Sequence, residues 1–462
     1  MEVSKQRLII VSNRAPISVT EKDGQLRSKR ALGGLATALA KVWDRPGCLW
    51  VGWSGLNRSF SRAEYESLEL GDKLALINLE SELYRRYYGS FANGSLWPVF
   101  HGLTPPTMYQ PEDLEATREV TERFAKCLEH VAGPDDLIWV HDYPLVLLPD
   151  VLRRRGMRNK VGMFMHIPFP EVEDFRQLPD HREIAQSLAQ VNVLGFQTEG
   201  DVGRFMAYAE AEGIDVSGVQ VQAFPIGIDF ELFAAAPELP ESRAYAAEVA
   251  RRYAGKKVIF SVSRQDYTKG IPEQLQAVDR MLQLTKRRDV IYKLVVAPSR
   301  EDLKAYQQLR ERTERLVRQI NQRHGWDGWQ PIDYEYRGYG VAELAAWYQR
   351  ADVMLVTPLA DGMNLVAKEF AAAHTGSGVL VLGERAGAAA QMTEALLVNP
   401  RNTGALADTI RHGLEMAEPE RRQRLLALRR GVQRDDVTVW SRHFLAALEG
   451  QDVWTGSDAV AI

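Results

Sequence analysis

Short apolar runs recur along the chain and alternate with longer segments of helical spacing. Leu8–Val11, Leu137–Val140, Val161–Met165 and Val193–Phe196 stand in the first half, and Val258–Val262, Leu294–Ala297, Val353–Val356 and Val379–Leu382 in the second. None alternates apolar with polar positions. Such runs predict strands buried on both faces, as in parallel sheets covered by helices. Glu112–Val131, Asp302–His324, Val341–Arg350 and Ala405–Glu415 carry spaced apolar residues among many charges and predict amphipathic helices. The repeated order strand, helix, strand gives an α/β fold of two Rossmann-like doubly wound domains. The break falls near Pro225-Ile226-Gly227-Ile228-Asp229. It gives an N-terminal Rossmann-like domain over 1–228 and a C-terminal Rossmann-like domain over 229–440. A C-terminal helix and tail, 441–462, can pack back on the N-terminal domain. Ala234–Ser242, rich in Pro, Ala and Glu, reads as a linker or surface segment, and the residues from Gly450 onward read as a frayed end.

Charge narrows the partners. Among 462 residues the formal net charge is −4, which supplies no global field for nucleic acid or an anionic membrane. Neither is expected as a partner, and phosphate binding has to come from local cations. Cys48 and Cys127 are the only cysteines and form no Cys/His cluster, so a disulfide framework or zinc site is not expected. This usage fits a reducing cytoplasm. Leu8–Val11 is too short for a signal-peptide core or a membrane span. Self-association leaves no trace in the sequence and stays open.

Ligands of doubly wound sheets bind beyond the carboxyl ends of the strands, so the residues after each apolar run matter most. Any one of them is explained as an ordinary polar loop residue. The joint pattern is not, because Arg14, Arg264, Lys269 and Arg300 all follow strands. Arg264 and Lys269, in R-x-x-x-x-K-G at the start of a helical segment, suit a diphosphate. Arg14 and Arg300, from different halves, suit a second phosphate if both reach an interdomain cleft. Asp361-Gly362-Met363-Asn364-Leu365-Val366 leads from a strand into a helix, with Gly362 allowing close backbone approach. Glu369, further along that helix, is either a ribose ligand or a solvated charge. Asp142 and His166 can bond sugar hydroxyls. The chain has no G-x-S-x-G elbow and no D-x-D, so neither an acyl-type nucleophile nor a carboxylate pair chelating a metal–diphosphate is supported. Trp50, Trp53, Tyr87, Tyr88 and Trp97 either stack on sugars or pack in the core.

The motifs Ser12-Asn13-Arg14, Gly33-Gly34-Leu35, Gly52-Trp53-Ser54-Gly55, Tyr87-Tyr88, Leu96-Trp97-Pro98, His141-Asp142-Tyr143, His166-Ile167-Pro168-Phe169-Pro170, Gly195-Phe196-Gln197-Thr198, Pro225-Ile226-Gly227-Ile228, Arg264-x-Asp266-Tyr267-x-Lys269-Gly270 and Asp361 to Glu369 follow one another in order. In these the chain resembles the trehalose-6-phosphate synthases along nearly its whole length. The resemblance implies a two-Rossmann glycosyltransferase of GT-B type that needs no cofactor or metal. It moves glucose, with retention, from a nucleotide-glucose (UDP-glucose by family default) to glucose 6-phosphate, giving trehalose 6-phosphate. By position, Arg14, Arg300 and Tyr88 hold the acceptor phosphate, and Trp53, Trp97 and Asp142 shape the acceptor sugar site. Gly34 and the run Gly362, Met363, Asn364, Leu365 and Val366 meet the donor. His166 touches the donor glucose, Asp361 bonds its hydroxyls, Arg264 and Lys269 stabilise the leaving diphosphate, and Glu369 binds the ribose. The implied catalytic set is Asp142, His166, Arg264, Lys269 and Asp361. The chain departs from the family pattern at Pro144, Gln265 and Ala360, and the charged loop around Gly24 has no match. A glucosylglycerol-phosphate synthase, a pseudo-glycosyltransferase joining cyclitols and a silent regulatory subunit remain as alternatives on this scaffold.

Overall fold

Each apolar run lies in a strand whose central residues are buried, save that Met165 falls just past its strand, in a computed structural model that describes residues 6–22, 25–30, 34–56, 58, 61–68, 73–105 and 108–451. The chain divides into two units, Met1–Pro225 with Thr438–Ile462, and Ile226–Val437. The first unit holds β1 (Leu8–Arg14), β2 (Ile17–Lys22), β3 (Gln25–Arg30), β4 (Cys48–Trp53), β5 (Leu74–Ile77), β6 (Leu137–His141), β7 (Val161–Phe164), β8 (Val193–Phe196) and β9 (Gln220–Ala223). Its main sheet runs β5-β4-β1-β6-β7-β8-β9, and every pairing is parallel. The second unit holds β10 (Lys257–Arg264), β11 (Val290–Ala297), β12 (Ile332–Glu335), β13 (Val353–Val356), β14 (Val379–Gly383) and β15 (Leu396–Val398). They run β12-β11-β10-β13-β14-β15, again all parallel. Both sheets therefore reverse their winding at one place, between β1 and β6 in the first unit and between β10 and β13 in the second. A crevice for a ligand opens beyond the strand ends at such a switch.

The predicted helices form as Pro111–Val131, Lys304–His324, Val341–Arg350 and Thr403–Glu415. The segment Ala234–Ser242 is not a linker. It closes the helix Phe230–Ala235, passes through one tight turn and opens the helix Pro240–Arg252, with Ala236 and Ser242 buried. Pro237 and Pro240 sit in the first positions of their turns, where a fixed φ starts a helix rather than breaking one. The charged loop near Gly24 joins β2 and β3, an antiparallel ribbon; Gly24 itself and the tail beyond residue 451 lie outside the described residues. No described helix is long and apolar enough to cross a membrane.

The first unit is completed by the helix Val437–Glu449 from the far end of the chain. Gly162 on β7 and Gly195 on β8 leave a socket for Phe444, since a Cβ on either would stand 2.7 Å from its ring. Phe444 is fully buried and stacks on Trp139 of β6, with ring centroids 4.7 Å apart at 11°. Lys160 caps the last turn by donating to the Glu449 carbonyl at 2.7 Å. Phe444→Ala should cost about 3–5 kcal/mol of stability, because a rigid glycine-lined socket cannot collapse around the smaller side chain. Urea denaturation checks this.

Candidate active site

In the second unit the chain leaving β10 meets the chain leaving β13. Lys269 Nζ lies 2.6 Å from Asp361 Oδ2, and both side chains are largely shielded from solvent. The backbone fixes each partner. Lys269 is followed by Gly270 at φ +68°, where a Cβ would come within 2.4 Å of the Thr357 carbonyl. Only glycine fits there, so the turn that presents Lys269 is bound to the end of β13. Asp361 donates its N–H to the Arg385 carbonyl at 3.1 Å and accepts from Gly387 N at 3.1 Å. Asn364, at φ +75°, bonds Asp361 Oδ2 at 3.0 Å and precedes the helix Leu365–Ala373. Gly362 and Met363 are buried beneath this loop, and Leu365 and Val366 open the helix.

A second carboxylate organises the cations. Asp266 is fully buried; its Oδ1 accepts Thr268 N at 3.0 Å, and its Oδ2 faces Arg300 Nη1 at 3.1 Å and Tyr306 OH at 3.2 Å. Burial alone would raise its pKa. The charges of Arg300, Lys269 and Arg264 outweigh that and hold it below the usual carboxylate range. Arg300 sits in the left-handed region at φ +48° and also bonds the Tyr306 hydroxyl. Arg264, at the end of β10, remains solvent-facing. Glu369, in the second turn of its helix, accepts a hydrogen bond from Tyr348 OH at 2.8 Å. Burial pushes its pKa up to about 7, against the opposing effect of that bond.

In the first unit β1 delivers Arg14 above an aromatic ladder. The guanidinium lies 5.1 Å from the Trp53 ring centroid, Trp53 lies 4.0 Å from Tyr84, and Tyr84 stacks on Tyr88 at 5.0 Å. Gly55, at φ +97°, leaves the space the guanidinium fills, since a Cβ would stand 2.4 Å from Nη2. No carboxylate pairs with Arg14 among the described residues, so an exposed cation is held in place without being neutralised. Tyr84 to Tyr88 spans the entry to a π-helical stretch, Arg85–Leu96. Asn93 and Ser95 reinforce its wide turns by bonding the carbonyls of Tyr88 and Ser90, five residues back, at 2.7 and 3.4 Å. Asn93 Oδ1 then accepts from Tyr143 OH at 2.7 Å, which ties this helix to the loop after β6.

That loop carries Asp142 at φ +77°, and its Oδ1 accepts His166 N at 3.1 Å. Asp142, Arg300 and Asn364 are three of the five non-glycine residues with positive φ among the described residues. Backbone strain thus falls where the strand-end motifs are, as it does at functional sites. His166 Nε2 lies 3.1 Å from His141 Nδ1. Burial drives both rings well below the ordinary histidine pKa, His166 to about 3, so both are neutral near pH 7.

The remaining expected residues are placed as follows. Trp53 and Trp97 are buried, Trp53 donating to the Leu56 carbonyl at 2.8 Å and Trp97 packing on His101 and Tyr143. Trp50 and Tyr87 belong to the core, where they bond Ser12 Oγ at 2.8 Å and Asn13 Oδ1 at 3.0 Å. Gly34 is the exposed first residue of the helix Gly34–Trp43; Gly33 lies outside the described residues. Of the departures, Gln265 donates to the Tyr306 carbonyl, and Pro144 and Ala360 are buried. Sequence reasoning gave no role to Asp266, Tyr306, Tyr348, Tyr84 or His141. Asp266 and His141 stand inside the strand-end motifs, and Tyr84 has a helical spacing of four from Tyr88; Tyr306 and Tyr348 carry no such signal. Among the described residues no three His, Cys, Asp or Glu side chains gather to hold a metal ion.

A sequence model of Glycosyltransferase family 20 matches residues 6–450. The chain belongs to glycosyltransferase family 20. It is 37% identical over 466 residues to the trehalose-6-phosphate synthase of Mycolicibacterium paratuberculosis, covering 95% of this chain and 94% of that protein. It is 37% identical over 471 residues to the bifunctional trehalose-6-phosphate synthase/phosphatase of Thermoproteus tenax, covering 96% of this chain but 63% of that longer protein. Among solved structures, the UDP-forming alpha,alpha-trehalose-phosphate synthase of Burkholderia xenovorans in complex with glucose-6-phosphate superposes with a TM-score of 0.87 at 34% identity, covering 96% of this chain and 100% of that one. An E. coli structure bound with UDP-2-fluoro glucose superposes at 0.86 with 32% identity, covering 96% and 99%. The expected glycosyltransferase class and doubly wound architecture are thus those of family 20.

The Glu369 carboxyl gives this family 20 site a testable signature. A carboxyl whose folded pKa is raised from 4.5 to about 7 stabilises the fold below the lower value and loses that contribution as pH rises through the upper one. The wild type should therefore lose stability relative to Glu369→Gln between about pH 5 and about pH 8. Paired urea denaturation curves at the two pH values check the direction.

Proposed function

We propose that the protein transfers glucose from UDP-glucose to glucose 6-phosphate, with retention, to give trehalose 6-phosphate and UDP. The observation that carries this reading is the buried Lys269–Asp361 pair at 2.6 Å, which joins the two strand-end motifs of the second unit at its switch point. Support for the substrates comes from the relatives. The Burkholderia xenovorans protein is UDP-forming and was solved with glucose-6-phosphate, and the E. coli structure holds UDP-2-fluoro glucose.

On this reading Glu369 receives the ribose hydroxyls, Asp361 and His166 orient the donor glucose, and Arg264 and Lys269 face the diphosphate. As the C1–O bond lengthens, positive charge develops on the sugar and negative charge on the departing phosphate. Fixed cations favour that separation, and each lowers the barrier by about 2–4 kcal/mol. Arg14 and Arg300 receive the phosphate of the acceptor, with Asp142 on its sugar. The acceptor hydroxyl attacks from the face the diphosphate leaves, and its proton passes to a donor phosphate oxygen. No side chain of this chain is then needed as a nucleophile.

The deciding experiment is transfer by the purified protein with UDP-, GDP- and ADP-glucose against glucose 6-phosphate and glycerol 3-phosphate. Trehalose 6-phosphate formed fastest from UDP-glucose supports the proposal, and no turnover with any pair overturns it. Lys269→Ala should lower kcat by about 10²-fold or more while the cooperative thermal transition survives, read by steady-state kinetics and circular dichroism. Arg300→Ala should raise KM for glucose 6-phosphate about tenfold or more and KM for the donor less. Equal effects on both substrates would remove Arg300 from the acceptor site.

A further inference from the structure

The two histidines of the first unit form a pair whose geometry restricts what His166 can do. His141 is the last residue of β6 and is fully buried. Its ring lies 4.6 Å from Trp139 and 6.4 Å from Trp440. His166, two residues beyond β7, lies against Phe164 at 4.6 Å and Trp440 at 6.1 Å. The loop after β6 grips His166 twice, by Asp142 on its backbone N–H at 3.1 Å and by His141 on its ring at 3.1 Å.

Two neutral imidazoles 3.1 Å apart share one proton between the facing nitrogens. Either His141 Nδ1–H donates to His166 Nε2, or His166 Nε2–H donates to His141 Nδ1. The far nitrogen of His141 decides between them. His141 Nε2 is buried without a protein partner, as are the indole N–H groups of Trp139 and Trp440 beside it. In the second arrangement Nε2 would carry a proton and add a third orphaned N–H to this apolar cage. In the first it carries only a lone pair, and no further N–H is orphaned. A buried N–H without a partner is the rarer and costlier defect. The first arrangement therefore prevails, and it forces the proton of His166 onto Nδ1. His166 is only half-buried, and Nδ1 is the ring atom left without a protein partner among the described residues.

We propose that His141 is a positioning residue that locks His166 into the Nδ1–H tautomer, so that His166 meets the donor sugar as a hydrogen-bond donor to a hydroxyl oxygen. The lock is a property of the ligand-free fold; only the identity of the oxygen rests on the function proposed above.

The test has two independent arms. In protein carrying ¹⁵N-labelled histidine, long-range ¹⁵N–¹H correlation spectra, with His166 assigned by its loss in His166→Gln, should show a protonated Nδ1 and an unprotonated Nε2 at pH 7. A protonated Nε2, or an averaged signal, overturns the proposal whatever the protein catalyses. In the kinetic arm, His141→Phe keeps the shape and removes the bond, and His141→Asn keeps an N–H at the δ position. His141→Phe should raise KM for UDP-glucose about tenfold and leave UDP binding and KM for glucose 6-phosphate unchanged, whereas His141→Asn should stay within about threefold of wild type. Equal losses in both variants, or a loss shared by UDP, would reduce His141 to a packing residue and overturn the proposal. Should His141→Phe fail to fold, the tautomer spectra of wild type and His141→Asn decide. Absence of any transfer in wild type would sink the proposed function while leaving the tautomer result intact.

Discussion

Asp266 is the buried negative charge on which the three cations of the second unit act together. Arg264, Lys269 and Arg300 all act on this buried carboxylate, and like charges so placed repel one another and resist losing water. Asp266 answers both costs. It stays ionised despite full burial because the three cations stabilise it, and it holds the Arg300 guanidinium by a direct bond at 3.1 Å. The second carboxylate, Asp361, takes up Lys269. Three cations against two carboxylates leave a positive balance of one at this end of the sheet.

The first unit solves a different problem. Arg14 is exposed and meets no carboxylate among the described residues, so it is held by shape: a ring beneath it and a glycine that leaves room for its guanidinium. Aromatic support keeps the cation oriented while its hydrogen-bond donors stay available. Asp142 pays in backbone strain for a carboxylate that reaches His166 N. Both devices depend on rigid parallel strands ending at the same level, which the register of β1 with β4 and β6 provides.

Much of this was legible in the sequence, and the limits are physical. Strands buried on both faces announce themselves, so Val193–Phe196 and Val353–Val356 coincide with β8 and β13 residue for residue. The edge strands β5, β9, β12 and β15 are short and partly exposed; β9 and β12 are of mixed composition, and β5 and β15 are brief apolar runs that periodicity alone does not separate from helix. Strand-end motifs pointed to Lys269, Asp361 and Glu369 because chemistry has to stand at those places. The partners Tyr306, Tyr348 and His141 were not legible as such. Tyr348 reaches Glu369 across 21 residues of chain and His141 reaches His166 across 25, and only packing brings them together. The Ala234–Ser242 segment lies largely at the surface as expected but is no linker, because proline marks helix starts as well as breaks.

The socket for Phe444 bears on how the chain is made. Residues 1–225 emerge from a ribosome some 212 residues before the helix at 437 that fills the space above Gly162 and Gly195. At about 5–20 residues per second that is a wait of roughly 10–40 s, during which Trp139 and the faces of β7 and β8 lack their cover. A chain cut short before its last helix thus carries a second unit with nearly all its residues beside a first unit whose socket stays empty, so truncation at the far end is felt in the half that was made first.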